Sequence, residues 1–232
     1  MDKTAVIVGG GTGSRMGMDI PKQFVELNGK PVIAHTIDAF YTAFPDISII
    51  LVLPEKFLEN GEDIMNTYFK GKTIQIVTGG FTRFDSVKNG LSLVKTPSIV
   101  FVHDAVRCLV SNSIIHRCYD AAVEFGSAIP VVAVKDSIRR ILSGANGLNA
   151  ESEVVKRDEL RAVQTPQSFQ SQIILTAFQT HFQEAFTDEA TVVEQSGIAV
   201  HLVEGEEQNI KITYPADLDY ARQVLSGKTI SS

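Results

Sequence analysis

The segment Thr4-Ala5-Val6-Ile7-Val8-Gly9-Gly10-Gly11-Thr12-Gly13-Ser14-Arg15-Met16-Gly17 decides how the rest of the chain is read. Its first part is a short, nearly continuous apolar run, the pattern of a strand buried on both faces of a parallel sheet. The glycines that follow let the backbone adopt positive φ and approach a ligand closely. Successive amide groups in such a loop can cradle phosphates, all the more where a helix begins. Two familiar phosphate motifs are absent. A P-loop needs a Lys-Ser or Lys-Thr pair that this stretch lacks, and G-x-G-x-x-G fails because Ser14 or Met16 stands where its last glycine belongs. An ordinary structural turn is the competing reading of the glycines alone.

Working outward, further strand-like runs span residues 47–53, 73–78, 98–103, 128–134 and 199–204. Helical spacings lie between them. Ile33, Ile37, Phe40 and Phe44 form one apolar stripe; Phe84, Val87, Leu91 and Val94 a second; Ile114, Cys118, Ala121 and Phe125 a third, with Gly126 as its stop. A last helix begins at Pro215, carries Leu218, Ala221, Val224 and Leu225, and ends at Gly227. Strand alternating with helix predicts an α/β fold with a mostly parallel sheet flanked by helices.

The chain has 232 residues, about one and a half times the roughly 150 residues of a common domain, so a single domain over 1–232 is expected. Hydrophobic residues at 44% and charged residues at 21% exclude a disordered chain. The formal charge of −6 disfavours nonspecific nucleic-acid binding, which needs a basic footprint, but leaves room for a small anionic substrate held by local cations. No apolar run approaches the ~20 residues of a membrane span. The first residues do not read as a signal peptide, and two cysteines without metal-type spacing suit a reducing cytoplasm.

Residues 135–161 break the rhythm. Two strand-like pieces, 137–142 and 152–157, flank the turn-forming Ser143-Gly144-Ala145-Asn146-Gly147-Leu148-Asn149. They predict a projecting β-hairpin arm. A lone hairpin is marginal in water, so a second subunit is its simplest support, and a surface loop the alternative.

Chemistry is suggested at several places. Arg15 lies inside the glycine loop, and Lys22 follows in Ile20-Pro21-Lys22-Gln23. Two cations so near a glycine loop suit a triphosphate whose charge grows in the transition state. Asp104, in Val102-His103-Asp104-Ala105-Val106-Arg107, ends an apolar strand, where ligands bind in open parallel sheets. It is either a Mg²⁺ ligand, since that ion takes only one or two carboxylates beside substrate phosphates, or a helix cap paired with arginine. His103 reads as structural. The turn at Gly79-Gly80-Phe81-Thr82-Arg83-Phe84-Asp85-Ser86 either reads a base or is an ordinary strand-to-helix turn. Gln164-Thr165-Pro166-Gln167 is a further motif. In Thr187-Asp188-Glu189-Ala190, Thr187 reads as a helix N-cap with acids in the first turn. Lys211 is placed on a short strand after an acidic turn, as a third cation for phosphates or as an edge-strand lysine.

Together these segments resemble the 2-C-methyl-D-erythritol 4-phosphate cytidylyltransferase family. The pieces GGGTGSRMG, PKQF, GGFTRFDSV, VHDAVR, QTPQ, TDEA, and VEGEEQNIKIT with PADL occur in family order from Val6 to about Leu225. The resemblance implies a Rossmann-like domain that uses Mg²⁺ to transfer CMP from CTP to a sugar-alcohol phosphate in non-mevalonate isoprenoid synthesis. It also implies a homodimer with interlocking arms. It carries phosphate binding to Gly10, Gly11, Thr12, Gly13 and Arg15, transition-state charge to Arg15, Lys22 and Lys211, and the metal to Asp104. Gly80, Ser86 and Ala105 match the cytidine pocket. Arg107, Arg157, Thr165 and Thr187 match residues near the acceptor phosphate, with Arg157 acting from the partner's arm. Four positions depart from the family pattern: Phe81 replaces a common acid, Cys108 a proline, Ser137 a threonine and Gln208 an aspartate. A ribitol 5-phosphate cytidylyltransferase is the nearest rival, and a CTP-binding regulatory protein without turnover the rival from another class.

Overall fold

The computed structural model describes residues 1–10, 20–142 and 151–227. Gly11, Thr12, Gly13 and Arg15, and the turn at 143–149, therefore lie outside the described residues.

The strands are β1 (Asp2–Val8), β2 (Glu26–Leu27), β3 (Lys30–Pro31), β4 (Ser48–Leu53), β5 (Ile74–Thr78), β6 (Ser98–Asp104), β7 (Ser127–Ala133), β8 (Ile138–Ile141), β9 (Ser152–Val155), β10 (Arg161–Val163), β11 (Gln167–Gln170) and β12 (Leu202–Glu204). The helices are α1 (Val32–Ala43), α2 (Leu58–Tyr68), α3 (Arg83–Leu91), α4 (Asn112–Phe125), α5 (Ser171–Ala177), α6 (Glu189–Gln195) and α7 (Pro215–Leu225).

Eight strands form the central sheet. β1 lies in its middle, parallel to β4 on one side and β6 on the other, and β5 extends the β4 edge in parallel. β11 runs antiparallel between β6 and β7. β10 is antiparallel to β7 and β12 is parallel to it. The sheet is thus mixed and mostly parallel, flanked by helices, as expected.

Strand alternation divides the core in two. Ala5, Ile7, Ile49, Leu51, Ile99 and Phe101 face α1, α2 and α4, where Ile33, Ile37, Phe40, Ile64 and Ile114 complete one cluster. Val6, Val8, Ile50, Val52, Val100 and Val102 face α3, α5 and α6, meeting Phe84, Val87, Ile174 and Val193. Both faces of the inner strands are covered, which is why they read as continuous apolar runs. Gly126 ends α4 in the left-handed region at φ 88°, as its sequence position predicts. Phe125 departs from expectation: the last member of the α4 stripe is exposed and stacks on His201 at 3.9 Å. α7 packs Leu218 and Ala221 on a third cluster with Leu27, Val106 and Ile212.

The two antiparallel strands were not visible in the sequence. β11 reads Gln-Ser-Phe-Gln, yet Gln167, Ser168 and Phe169 are buried. Between β10 and β11, a bulge absorbs Gln164, Thr165 and Pro166, with a cis Thr165–Pro166 bond. Val163 pairs with Val131, but Ser168 pairs with Ala128. Among the described residues β8 and β9 pair with each other and with no other strand, Ile138 opposite Val155.

Candidate active site

Parallel β1 and β6 bring Val8 level with Asp104, while β4 and β5 end beside them at Leu53 and Thr78. The loops leaving these carboxyl ends enclose a cavity of about 290 Å³. Gly9, Gly10, Lys22, Gly80, Asp104 and Lys211 are among its lining residues. A Cβ on Gly9 would lie 2.8 Å from Leu53 Cδ2 and would have to push that side chain aside. The Gln23 amide donates to the Gly9 carbonyl at 2.9 Å and ties the Lys22 turn to the glycine loop.

The Gly80 turn is both a structural turn and part of the cavity wall. Thr82 caps α3 through a reciprocal box with Asp85. Ser86 Oγ accepts from the Gly80 amide at 3.1 Å and donates to the Thr82 carbonyl at 3.0 Å. A Cβ on Gly80 would stand 2.3 Å from Asp85 Cβ, so no larger residue fits this path.

Asp104 is the electrostatic centre. Its side chain is 9% exposed and faces three cations: Lys211 Nζ at 2.8 Å, Arg83 Nη2 at 3.3 Å and Arg107 Nε at 3.8 Å. Burial alone would raise its pKa. Arg83, Lys211 and Arg107 outweigh burial and hold the carboxyl well below the usual range, so it is ionised. Arg83 also forks onto both carboxylate oxygens of Glu189, the longer contact being 3.1 Å. Burial opposes the guanidinium charge, but the two carboxylates hold it firmly protonated. Glu189 is 1% exposed, and burial pushes its pKa up while Arg83 pulls against that. Arg83 is therefore a bridge from α3 to the ends of β6 and α6.

Beneath Asp104 lies a neutral relay. Thr165 Oγ1 accepts from the Asp104 amide at 3.1 Å and meets His103 Nδ1 at 2.9 Å, while His103 Nε2 meets the Arg107 carbonyl at 3.2 Å. A carbonyl only accepts, so Nε2 carries the proton, and the threonine hydroxyl donates to Nδ1. Protonating His103 would break that arrangement. Burial lowers its pKa to about 4 from 6.5. The unfolded chain therefore takes up this proton first as pH falls. His103 should remove about 3 kcal/mol of stability between roughly pH 6.5 and pH 4, at 1.36 kcal/mol per unit. Glu189, whose pKa is raised, acts in the opposite sense near the acid end. Comparing urea midpoints of wild type and His103→Asn across this window isolates the histidine. Parallel curves would show that it contributes nothing.

The structure brings Lys22 and Lys211 to the cavity, with Lys22 Nζ donating to the Ile212 carbonyl at 2.7 Å. Lys211 lies outside any strand, in the irregular segment after β12, correcting the strand expected there. Arg107 is largely buried beside Asp104 and donates to the Asn209 carbonyl at 2.7 Å. Ala105 is fully buried behind Gly9. Thr165 is also buried, and its hydroxyl is engaged inside the protein. Arg157 opens a short helical turn after β9 and donates to the Lys135 carbonyl at 2.6 Å. The N-cap of α6 is Asp188, not Thr187, because Asp188 accepts from the Thr191 amide at 2.9 Å; Thr187 is exposed just before it.

The sequence marks QTPQ and the segment holding Asn209 as motifs but does not show what their side chains join. Gln164 holds the carbonyl of Glu206 at 2.8 Å, and Gln167 contacts Asp188 at 2.9 Å and the Ala190 amide at 2.8 Å. Buried Asn209 donates to the Thr165 carbonyl at 2.9 Å. The motif QTPQ is thus a fastener for the two loops after it. Its signal was present as polar residues in an otherwise apolar α/β pattern, but the partners are far apart in the chain.

The family model described as IspD, 2-C-methyl-D-erythritol 4-phosphate cytidylyltransferase, matches residues 3–227. The chain is 43% identical over 225 residues to the enzyme of that name from Bacteroides thetaiotaomicron, covering 97% of this chain and 100% of the relative. Identity to the one from Phocaeicola vulgatus is 44% with the same coverage. Among solved structures, 4-diphosphocytidyl-2C-methyl-D-erythritol synthase from Anaerococcus prevotii superposes with a TM-score of 0.79 at 27% identity, covering 97% of this chain and 98% of that one. The Thermus thermophilus cytidylyltransferase gives 0.73 at 30% identity, covering 97% and 100%.

Proposed function

Because this chain belongs to the 2-C-methyl-D-erythritol 4-phosphate cytidylyltransferase family and so transfers CMP from CTP to that acceptor, we propose how its own residues divide the work. The observation that carries the assignment is a buried, ionised Asp104 sharing one cavity with Lys22, Lys211 and two glycine-bearing loops.

In the reaction, an oxygen of the acceptor phosphate attacks the α-phosphorus of CTP. The bond to the bridging oxygen breaks and pyrophosphate leaves. A phosphate is already ionised at pH 7, so no strong base is needed, and positioning with charge neutralisation carries the rate. The amides of Gly10 through Gly13, with Arg15, hold the triphosphate in this reading. Lys22 and Lys211 meet the charge that grows on the transferring and leaving phosphates. Gly80 and Ser86 shape the cytidine side, with Ala105 supporting the glycine loop from behind.

Asp104 fits a magnesium site. It is one ionised carboxylate facing the cavity, and Mg²⁺ needs no larger protein cage when substrate phosphates complete its shell. When bound there, the ion supplies charge neutralisation on the triphosphate. Arg107 and Thr187 serve the acceptor side, while Thr165 acts from within by holding the Asp104 amide.

We further read the chain as one domain over 1–232, working in the cytoplasm, where its buried thiols Cys108 and Cys118 stay reduced. Among the described residues no helix is long and apolar enough to cross a membrane. The arm leaves Ile141 and Val154 exposed at 55% and 74%. A second copy covering them would make a homodimer and bring Arg157 to the neighbouring site. Light scattering that finds a monomer at micromolar concentration would overturn this.

The deciding experiment measures pyrophosphate release from CTP and Mg²⁺ with methylerythritol phosphate, with ribitol 5-phosphate and with no acceptor. Release with methylerythritol phosphate alone is expected. Release only with ribitol phosphate would move the enzyme to another acceptor, and CTP binding without release would make it a non-catalytic binder. Lys22→Ala should lower kcat by roughly 100- to 1000-fold, the loss typical of one transition-state donor. A kcat within tenfold of wild type would remove Lys22 from that role.

A further inference from the structure

Thirteen phenylalanines occur in the chain, and Phe81 stands apart from the others whose surroundings matter here. Phe84, only three residues on, is buried and stacks on Phe178 at 4.9 Å and Phe186 at 5.5 Å. Phe182 leans on Phe84 at 6.0 Å, and Phe125 lies on His201. Phe81 is fully exposed, at 107% of its reference area, and has no ring partner among the described residues. It is nevertheless not on open surface. It lines the cavity of the candidate active site, at the lip formed by Gly80, Thr82 and Ser86.

Several polar groups beside it are engaged within the turn. The Gly80 amide donates to Ser86 Oγ, whose hydroxyl donates to the Thr82 carbonyl. Asp85 is held by the Thr82 amide and hydroxyl at 3.1 and 2.8 Å. The side chains of Thr82, Asp85 and Ser86 are thus turned to each other and to the turn itself, whereas the ring of Phe81 presents a bare aromatic face to the cavity.

We propose that Phe81 is a nucleotide-binding residue of this enzyme, its ring stacking on the pyrimidine of CTP at the mouth of the cavity. This rests on the assignment of the Gly80–Ser86 wall to the cytidine side. Base–aromatic stacking needs only a π face and tolerates any base. Phe81 thus adds affinity for the nucleotide without adding choice between cytosine and uracil.

The chain has no tryptophan, so Phe81→Trp places a single fluorescent reporter at the lip. Titration with CTP, without acceptor, should quench it, and inorganic tripolyphosphate should not. In steady state, Phe81→Ala should raise the KM for CTP by roughly 5- to 100-fold, the span of one lost stack, with kcat changed less than threefold. Phe81→Tyr should restore KM and Phe81→Leu should not. Because the ring is exposed, thermal midpoints of all four variants should match wild type, which separates the effect from misfolding. A wild-type KM in Phe81→Ala overturns the proposal, as does equal quenching by tripolyphosphate, which would report loop motion and no stacking. A wild-type enzyme that releases no pyrophosphate from CTP would instead overturn the underlying reading of the site, so the two failures are distinct.

Discussion

Asp104→Asn is expected to lower kcat for CMP transfer about 1000-fold at saturating Mg²⁺ and CTP. The substitution keeps the shape and removes one negative charge. In wild type that charge survives burial only because Arg83, Lys211 and Arg107 surround it. Without it, the side chain that would hold magnesium against the triphosphate is a neutral amide, and several kcal/mol of transition-state charge stabilisation are lost. Lys211, 2.8 Å from the carboxylate, also loses the partner that aims it across the cavity. A pyrophosphate-release assay over a magnesium titration measures this directly. Loss of less than tenfold, unrelieved by added metal, would show that another group holds the ion.

Arg83→Ala is expected to cost about 3–5 kcal/mol of folding stability, the usual consequence of leaving one member of a buried ion pair alone. Glu189 is 1% exposed and its main partner is the Arg83 fork. Asp104 would lose a cation as well, though Lys211 and Arg107 remain. The deficit should depend on pH with a definite sign. Stripped of Arg83, the Glu189 carboxyl takes up a proton more readily in the folded than in the unfolded chain. The gap between variant and wild type should therefore narrow as pH falls towards 4.5, the reference value for glutamate. Adding Glu189→Gln should recover part of the loss, because the two residues are coupled. Urea unfolding at pH 7.5 and pH 5 tests both points. A deficit below 1 kcal/mol at pH 7.5 would mean that water reaches Glu189.

How far these sites were legible beforehand varies with how local their physics is. Val8–Gly9–Gly10, Gly80 with Ser86, and Asp104 each sit where a strand ends, and strand ends are marked by a change from apolar run to glycine or charge. Lys22 was legible for a similar reason, being a cation a few residues beyond a glycine loop. Arg83 and Glu189 carry no site role in the sequence because each has a sufficient local explanation. Arg83 looked like part of a helix start, and Glu189 like a first-turn acid on α6. Their pairing spans 106 positions, and nothing in either neighbourhood announces the other. Thr187 reads as a cap because Thr187 and Asp188 are both good capping types, and only the path of the backbone selects Asp188.

The sequence by itself determined the parallel core, since strands covered on both faces must be apolar on both faces, and it determined which loops carry chemistry. It also marked the ribbon at 135–161, where the apolar rhythm stops. Only the tertiary structure decided the antiparallel insertion of β11, where buried Gln167 is tolerable because its amide finds Asp188 and the Ala190 N–H. It alone decided that Thr165 serves the Asp104 amide from within, and that three cations converge on one carboxylate. The physical reason is common to these cases. Burial sets a residue's hydrophobic character, which can be read one position at a time, whereas ion pairs and buried hydrogen bonds depend on two positions whose separation the fold alone abolishes.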